Sequence, residues 1–158
     1  MYPAKQKIVT TLQALEMAKS YCATEEHCQF DVRRKLARWR IDEEKSEWII
    51  GELISEGYIN EERFARAFAR GKFNLKSWGK KKIITELKKR NISDYCIKQA
   101  LSEINEDNYK KRLNDIAIKW LNQHKNETVI VKQQKLFRYL LSKGYQMNEI
   151  WNFMNENV

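Results

Sequence analysis

The sequence predicts an all-α protein built from three tandem three-helix repeats, nine helices stacked in an elongated, helix-turn-helix-like array. Three observations carry this. Gly and Pro together number 6 in 158 residues, where average usage gives about 19, so turn-rich β architectures are disfavoured. Three breaks, Arg40-Ile41-Asp42, Asn91-Ile92-Ser93 and Gly144-Tyr145-Gln146, recur at offsets of 51 and 53 residues, a period expected of tandem supersecondary units. Each break is preceded by an apolar i, i+4 pair, Val32/Leu36, Ile83/Leu87 and Leu136/Leu140, which marks one face of a helix.

The elements follow in order. Each repeat opens with a helix, expected over Thr11 to Cys22, Asn60 to Lys72 and Asp107 to Lys125, with Asn60 as an N-cap. The second helix ends at the break. Asn91 and Gly144 suit the left-handed residue that closes a helix, while Arg40 fits that slot poorly. Asp42 and Ser93 supply side-chain oxygens to cap the third helix. That helix carries Ile49 and Ile50, Ala100 and Leu101, or Phe153 and Met154, eight and nine residues past Ile41, Ile92 and Tyr145. The expected division is a loose N-terminus over residues 1–8, then repeats over 9–58, 59–105 and 106–158. A unit of about 50 residues has a thin core, so neighbouring units are expected to stabilise one another.

Composition narrows the class further. Hydrophobic residues at 42% and aromatics at 11% exceed what disordered chains carry, and a charged fraction of 32% is too high for a membrane protein. No apolar run is long enough to span a bilayer. Lys5 and Lys7 precede the stretch Ile8 to Ala18, but Thr10, Thr11, Gln13 and Glu16 interrupt it, which marks an amphipathic helix and not a secretory signal. Cys22, Cys28 and Cys96 are odd in number, so free thiols and a cytoplasmic setting are expected.

The chain carries 30 Lys+Arg against 21 Asp+Glu, a net +9. Residues 61–100 hold 12 Lys+Arg and 4 Asp+Glu, a net +8, so the second repeat carries nearly all of the excess. In its first helix Arg63, Arg66 and Arg70 recur on one face, away from Phe64, Ala65, Phe68 and Ala69, and are expected to form a solvent-facing stripe. Lys72, Lys76 and then Lys80, Lys81 and Lys82 continue the charge. A smaller cluster, Arg33, Arg34, Lys35, Arg38 and Arg40, precedes Glu43, Glu44 and Glu47, which are placed to offset it. Such a surface attracts a polyanion, although exposed helix faces are also Lys/Arg-rich for solubility alone. Phe73 and Trp78 lie among the charges, where base stacking is one role and core anchoring the more common one. Trp39, Trp48, Trp120 and Trp151 are likewise expected in the core.

Catalytic signatures are missing: no phosphate-binding glycine loop, dinucleotide fingerprint, HExxH or nucleophile elbow is present. Neither histidine, His27 or His124, belongs to a recognisable pairing. Cys22, His27 and Cys28 are close in sequence but lack paired CxxC spacing, so ordinary thiols are expected and no metal. Glu43-Glu44 and Glu61-Glu62 are placed as first-turn carboxylates, which the helix dipole favours.

The segment Gly57-Tyr58-Ile59-Asn60-Glu61-Glu62-Arg63-Phe64-Ala65, followed by Trp78-Gly79 and by Ile83 to Asn91 (IITELKKRN), resembles the RecX regulatory proteins of bacteria. There a G-(Y/F)-(I/L)-(N/D)-(D/E)-x-x-(F/Y)-A segment leads to a G-x-x-x-I-x-x-x-L-x-x-(K/R)-(G/N)-I helix. Tyr21-Cys22 to Leu53 and the third repeat fit the same plan, and Arg40 and Asn91 stand where glycine is common. The resemblance implies a non-enzymatic, cofactor-free protein that binds the RecA recombinase in the groove of its filament on DNA. It also implies lowered ATPase, strand-exchange and coprotease activities of RecA. Arg33, Arg34, Arg38, Arg63, Arg66, Arg70, Lys72, Lys76, Lys80, Lys81 and Lys82 are the residues expected to face RecA or DNA phosphate. With no exposed heptad seam, a monomer is expected. A helical repeat module that binds DNA directly, or a scaffold for another partner, are the alternatives.

Overall fold

The computed structural model describes residues 8–158, so the loose segment expected over residues 1–8 lies outside the described residues apart from Ile8. Among the described residues there are nine α-helices and no strand: α1 (Thr11–Thr24), α2 (Gln29–Arg38), α3 (Glu43–Ser55), α4 (Glu61–Lys76), α5 (Lys80–Lys89), α6 (Asp94–Leu101), α7 (Glu106–Gln123), α8 (Val129–Lys143) and α9 (Met147–Asn157). The all-α repeat class expected from the sequence is the class observed. Packing divides the chain into two compact units, one ending at Phe64 and the other spanning Ala65–Val158, with the division falling in α4.

The three breaks have one geometry. After α2, the Ile41 N–H donates to Leu36 O and the Arg40 N–H to Ala37 O; Ile92 and Asn91 do the same to Leu87 and Lys88, and Tyr145 and Gly144 to Leu140 and Leu141, all between 3.0 and 3.2 Å. These paired six-to-one and five-to-two bonds are the Schellman closure. They require a left-handed residue, and φ is +59° at Arg40, +57° at Asn91 and +98° at Gly144. Arg40 therefore occupies the slot for which its side chain is poorly suited, at a conformational cost of about 1 kcal/mol. The hydrophobic bracket that accompanies the motif is present each time, because Leu36, Leu87 and Leu140 are fully buried.

Caps start the helices where expected. Asn60 Oδ1 accepts from the Arg63 N–H at 2.9 Å, Asp42 Oδ1 from Lys45 at 2.9 Å and Ser93 Oγ from Cys96 at 3.2 Å. Thr10 caps α1 and Asn105 caps α7 in the same way, satisfying donors that have no partner inside the helix. α4 runs past its expected end at Lys72 to Lys76.

In the first unit, Ala14, Leu15, Ala18 and Cys22 of α1 meet Val32 and Leu36 of α2, and Ile49, Ile50 and Leu53 of α3. In the second unit, Phe73, Ile83, Leu87, Tyr109, Leu136, Leu140, Tyr145 and Ile150 are all buried. Here α5 begins directly against the end of α8. The Gly79 N–H donates to Lys143 O at 2.6 Å and the Lys81 N–H to Gly144 O at 3.0 Å. The unpaired donors of one helix start thus meet the unpaired carbonyls of another helix end, with opposite partial charges facing. The approach leaves no room for a side chain: a Cβ on Gly79 falls 2.3 Å from Gly144 C, and one on Gly144 falls 2.3 Å from Lys82 Cβ.

The far end of α4 is closed from the same unit. Arg112 of α7 donates to Phe73 O at 2.7 Å, Asn74 O at 3.2 Å and Ser77 Oγ at 3.2 Å, and the Tyr145 hydroxyl donates to Ser77 O at 2.9 Å. Gly144→Ala combines a left-handed backbone with a backbone collision, and we expect it to cost more than about 2 kcal/mol. Asn91→Gly, which relieves only φ, is expected to shift stability by less than about 1 kcal/mol. Thermal unfolding of the two variants checks both.

Candidate functional site

The charged residues of α4 and α5 separate into two groups by what they touch. Arg63 belongs to the first unit. Its Nε donates to Glu26 at 2.5 Å and its Nη2 to Gly57 O at 2.9 Å, tying the turn before α4 to the α1–α2 loop. Arg66 and Arg70 belong to the second unit and converge on Glu103 after α6, at 3.0 and 3.3 Å, with Arg66 also donating to Gln99 at 2.9 Å. The solvent-facing stripe of arginines expected from spacing is thus largely taken up by intramolecular ion pairs, and Arg66 is half-buried.

The lysines differ. Lys80 pairs with Glu106 and lies 4.7 Å from the Tyr109 ring centroid. Lys72 and Lys82 place their ammonium groups 5.0 and 4.5 Å from the Trp78 ring centroid, and Lys72 also lies 5.4 Å from Phe68. Cation–π contacts of this kind hold an ammonium in place without neutralising it. Lys76 and Lys81 are exposed and meet no carboxylate among the described residues. Lys80, Lys81 and Lys82 occupy the first turn of α5, which has no acidic residue, and the helix dipole opposes cations there.

On α2, Arg33 is held by Glu47 of α3 at 2.6 and 3.0 Å, so the offset expected from the acidic run is observed. Arg34 lies 5.7 Å from the Phe30 ring centroid, and Arg38 is exposed. Phe73 is buried and Trp120 is 9% exposed, as core anchors. Trp48 and Trp151, expected in the core, are instead 46% and 49% exposed, because they lie beside the buried stripes of α3 and α9 and not within them.

Sequence spacing did not reveal Arg90, 5.2 Å from the Phe68 ring centroid, or Lys143, whose Nζ donates to Lys76 O at 3.3 Å. Both reach the basic surface only through tertiary folding. Lys72 and Lys82, by contrast, sit four residues after Phe68 and Trp78, a spacing that places each pair on one helix face or at one helix start.

The family model described as "RecX, second three-helix domain" matches residues 60–101, the segment that carries these lysines. The chain is 30% identical over 149 residues to a regulatory protein RecX of Clostridium acetobutylicum, covering 92% of this chain and 69% of that one. The chain belongs to the RecX family. A second RecX regulatory protein, from Amycolatopsis mediterranei, is 23% identical over 92% of this chain and 83% of its own. The crystal structure of RecX from Lactobacillus salivarius superposes with a TM-score of 0.77 at 25% identity, covering 92% of this chain and 95% of that chain.

The RecX relatives are named as regulatory proteins, not enzymes. In this RecX chain no helix among the described residues is long and apolar enough to cross a membrane, and no group of three or more His, Cys, Asp or Glu among them is arranged to hold a metal ion. Cys22, Cys28 and Cys96 are free. Burial pushes the Cys22 thiol up to about 11 and the Cys28 thiol up to about 12, so both stay protonated at neutral pH. His27, beside them, stacks on Tyr21 at 3.7 Å between ring centroids.

Two expectations follow from these contacts. With native protein, Ellman's reagent is expected to titrate Cys96 alone, the two buried thiols reacting only in denaturant. Hydrogen bonds from Arg66, joined by Arg70, hold the Glu103 carboxyl below the usual carboxylate range. A carboxyl lowered in the folded state stabilises it at pH values above its unfolded pKa, and that contribution is lost as pH falls through the folded value. Glu103→Gln is therefore expected to melt below the parent at pH 7, and the two melting curves to converge on acidification.

Proposed function

We propose that this RecX-family chain acts in the cytoplasm as a monomer that binds the RecA recombinase filament on DNA and lowers its ATPase, strand-exchange and coprotease activities. It does so without chemistry or a cofactor of its own. Its contact with DNA is made mainly through the filament, and the second repeat, residues 59–105, is the part that carries the basic contact surface.

The observation that supports this reading is the lysine-rich start of α5. Three cations at a positive helix end oppose local stability, and two of them are countered from elsewhere: Lys80 by Glu106, and Lys82 by Ser142 O at 3.5 Å. Lys81 is left facing solvent at the same turn. Local rules broken without a nearby compensation are most often found where a surface serves a partner. Arg66 and Arg70 of α4 then act as positioning residues, and the half-buried Lys72 together with the exposed Lys76 and Lys81 as the charges presented toward acidic protein or phosphate.

The test is ATP hydrolysis by RecA on single-stranded DNA, with this protein added well below one copy per RecA. A fall in rate at such ratios is expected, since competition for bare DNA requires near-stoichiometric coverage. Lys72→Glu/Lys81→Glu is expected to raise the half-inhibitory concentration by about tenfold, a loss of about 1.4 kcal/mol, with helicity unchanged by circular dichroism. Absence of inhibition by the parent protein even in excess would sink the proposal.

A further inference from the structure

A small basic notch lies in the first unit, built by α1 and α2 alone. Tyr21 of α1 and Asp31, Arg34, Lys35 and Arg38 of α2 line a recess of about 140 Å³. Arg34 and Arg38 stand four residues apart, a spacing that puts them on one face of the helix, and the packing of α1 against α2 adds the wall formed by Tyr21. Arg33, one residue earlier, is neutralised by Glu47 of α3. Arg34, Lys35 and Arg38 meet no carboxylate at ion-pair distance among the described residues. Asp31, the acidic residue of the lining, is engaged by the Cys28 thiol at the start of α2, which donates to its carboxylate.

Aromatic rings hold the cations in place. The Lys35 ammonium lies 5.1 Å from the Tyr21 ring centroid and 5.8 Å from that of Trp39, and the Arg34 guanidinium lies 5.7 Å from that of Phe30. Tyr21 is itself stacked on His27, with ring centroids 3.7 Å apart and the planes at 16°. Contacts of this kind lower the freedom lost when an anion is captured, and they leave the charge uncancelled.

The size of the recess and the density of its charge select the ligand. A strand phosphate carries a single negative charge and needs open room on both sides for the rest of the chain, whereas a terminal phosphate or diphosphate gathers two or more charges on adjacent oxygens. Three cations around so small a space match the second kind. The recess is also well below the volume that encloses a whole small-molecule ligand, so it takes the anionic end, and anything attached to that end lies outside. Arginine forks suit the task because each can bond two oxygens of one phosphoryl group.

We infer that this notch is a binding site for a terminal diphosphate group, free or at the end of a nucleotide, with Arg34 and Arg38 as its forked contacts and Lys35 as a fixed charge beside them. The inference does not depend on RecA.

Its test is isothermal titration of the full chain with inorganic pyrophosphate and with adenosine diphosphate at constant ionic strength. Saturable binding at a single site is expected. Arg34→Gln/Arg38→Gln changes two exposed side chains and is expected to raise the pyrophosphate Kd about tenfold or more, with helicity unchanged by circular dichroism. Lys98→Gln/Lys111→Gln removes the same charge elsewhere and is expected to bind within about twofold of the parent. Tighter binding of adenosine diphosphate than of pyrophosphate assigns the site to a nucleotide, and equal or weaker binding assigns it to the bare diphosphate. Absence of saturable binding by the parent, a parental Kd in the notch variant, or an equal loss in the control overturns the inference. Displacement of pyrophosphate by an equal concentration of sulfate overturns it in favour of a general anion patch. An unphosphorylated oligothymidylate that displaces pyrophosphate from the parent and loses affinity in the notch variant overturns it in favour of a strand backbone.

Discussion

Two glycine backbones meet where α5 begins and α8 ends, and much of the second unit depends on that contact. The Gly79 N–H and the Lys81 N–H satisfy the carbonyls of Lys143 and Gly144, so one helix end caps another without any side chain taking part. The hydrogen bonds form only because neither residue carries a Cβ. The contact also sets the height at which the lysines of α5 leave the backbone, and it brings Lys143 beside the end of α4. Tyr109 adds to the same junction by accepting from the Lys80 N–H and donating to Glu149.

Charge is used in two ways around this frame. Arginines make multivalent ties: Arg63 to Glu26 and two loop carbonyls, Arg66 to Glu103 and Gln99, and Arg112 to the end of α4. The planar guanidinium suits that work, since it satisfies several acceptors from one fixed fork. Lys72 and Lys82 rest along Trp78, and Lys76 and Lys81 extend into solvent, so these four keep their charge available. A count of basic residues therefore overstates the free positive surface of α4.

The proposed function rests on how charged side chains are presented at the surface. Cys22 and Cys28 are buried, and the RecX relatives are regulators by name. The basic start of α5 and the notch beside α2 are built in different units, the first from adjacent residues and the second from two helices.

The sequence by itself determined the helical class, the repeat, and the positions of the turns. Those features are local: an i, i+4 apolar pair, a left-handed closing residue and a capping oxygen act within a few residues of one another, and their spacing survives in the linear chain. Even Arg40, which looks wrong for its slot, is overruled by the same local bonds that close the other two turns. The fate of each charge was not legible in this way. Whether Arg66 is a free cation or half of an ion pair depends on Glu103, 37 residues away. The notch beside α2 gains its Tyr21 wall only because α1 packs against α2, and Trp48 and Trp151 are exposed because their helices turn a neighbouring face to the core. Periodicity fixes which residues share a face, but only tertiary structure decides what that face meets.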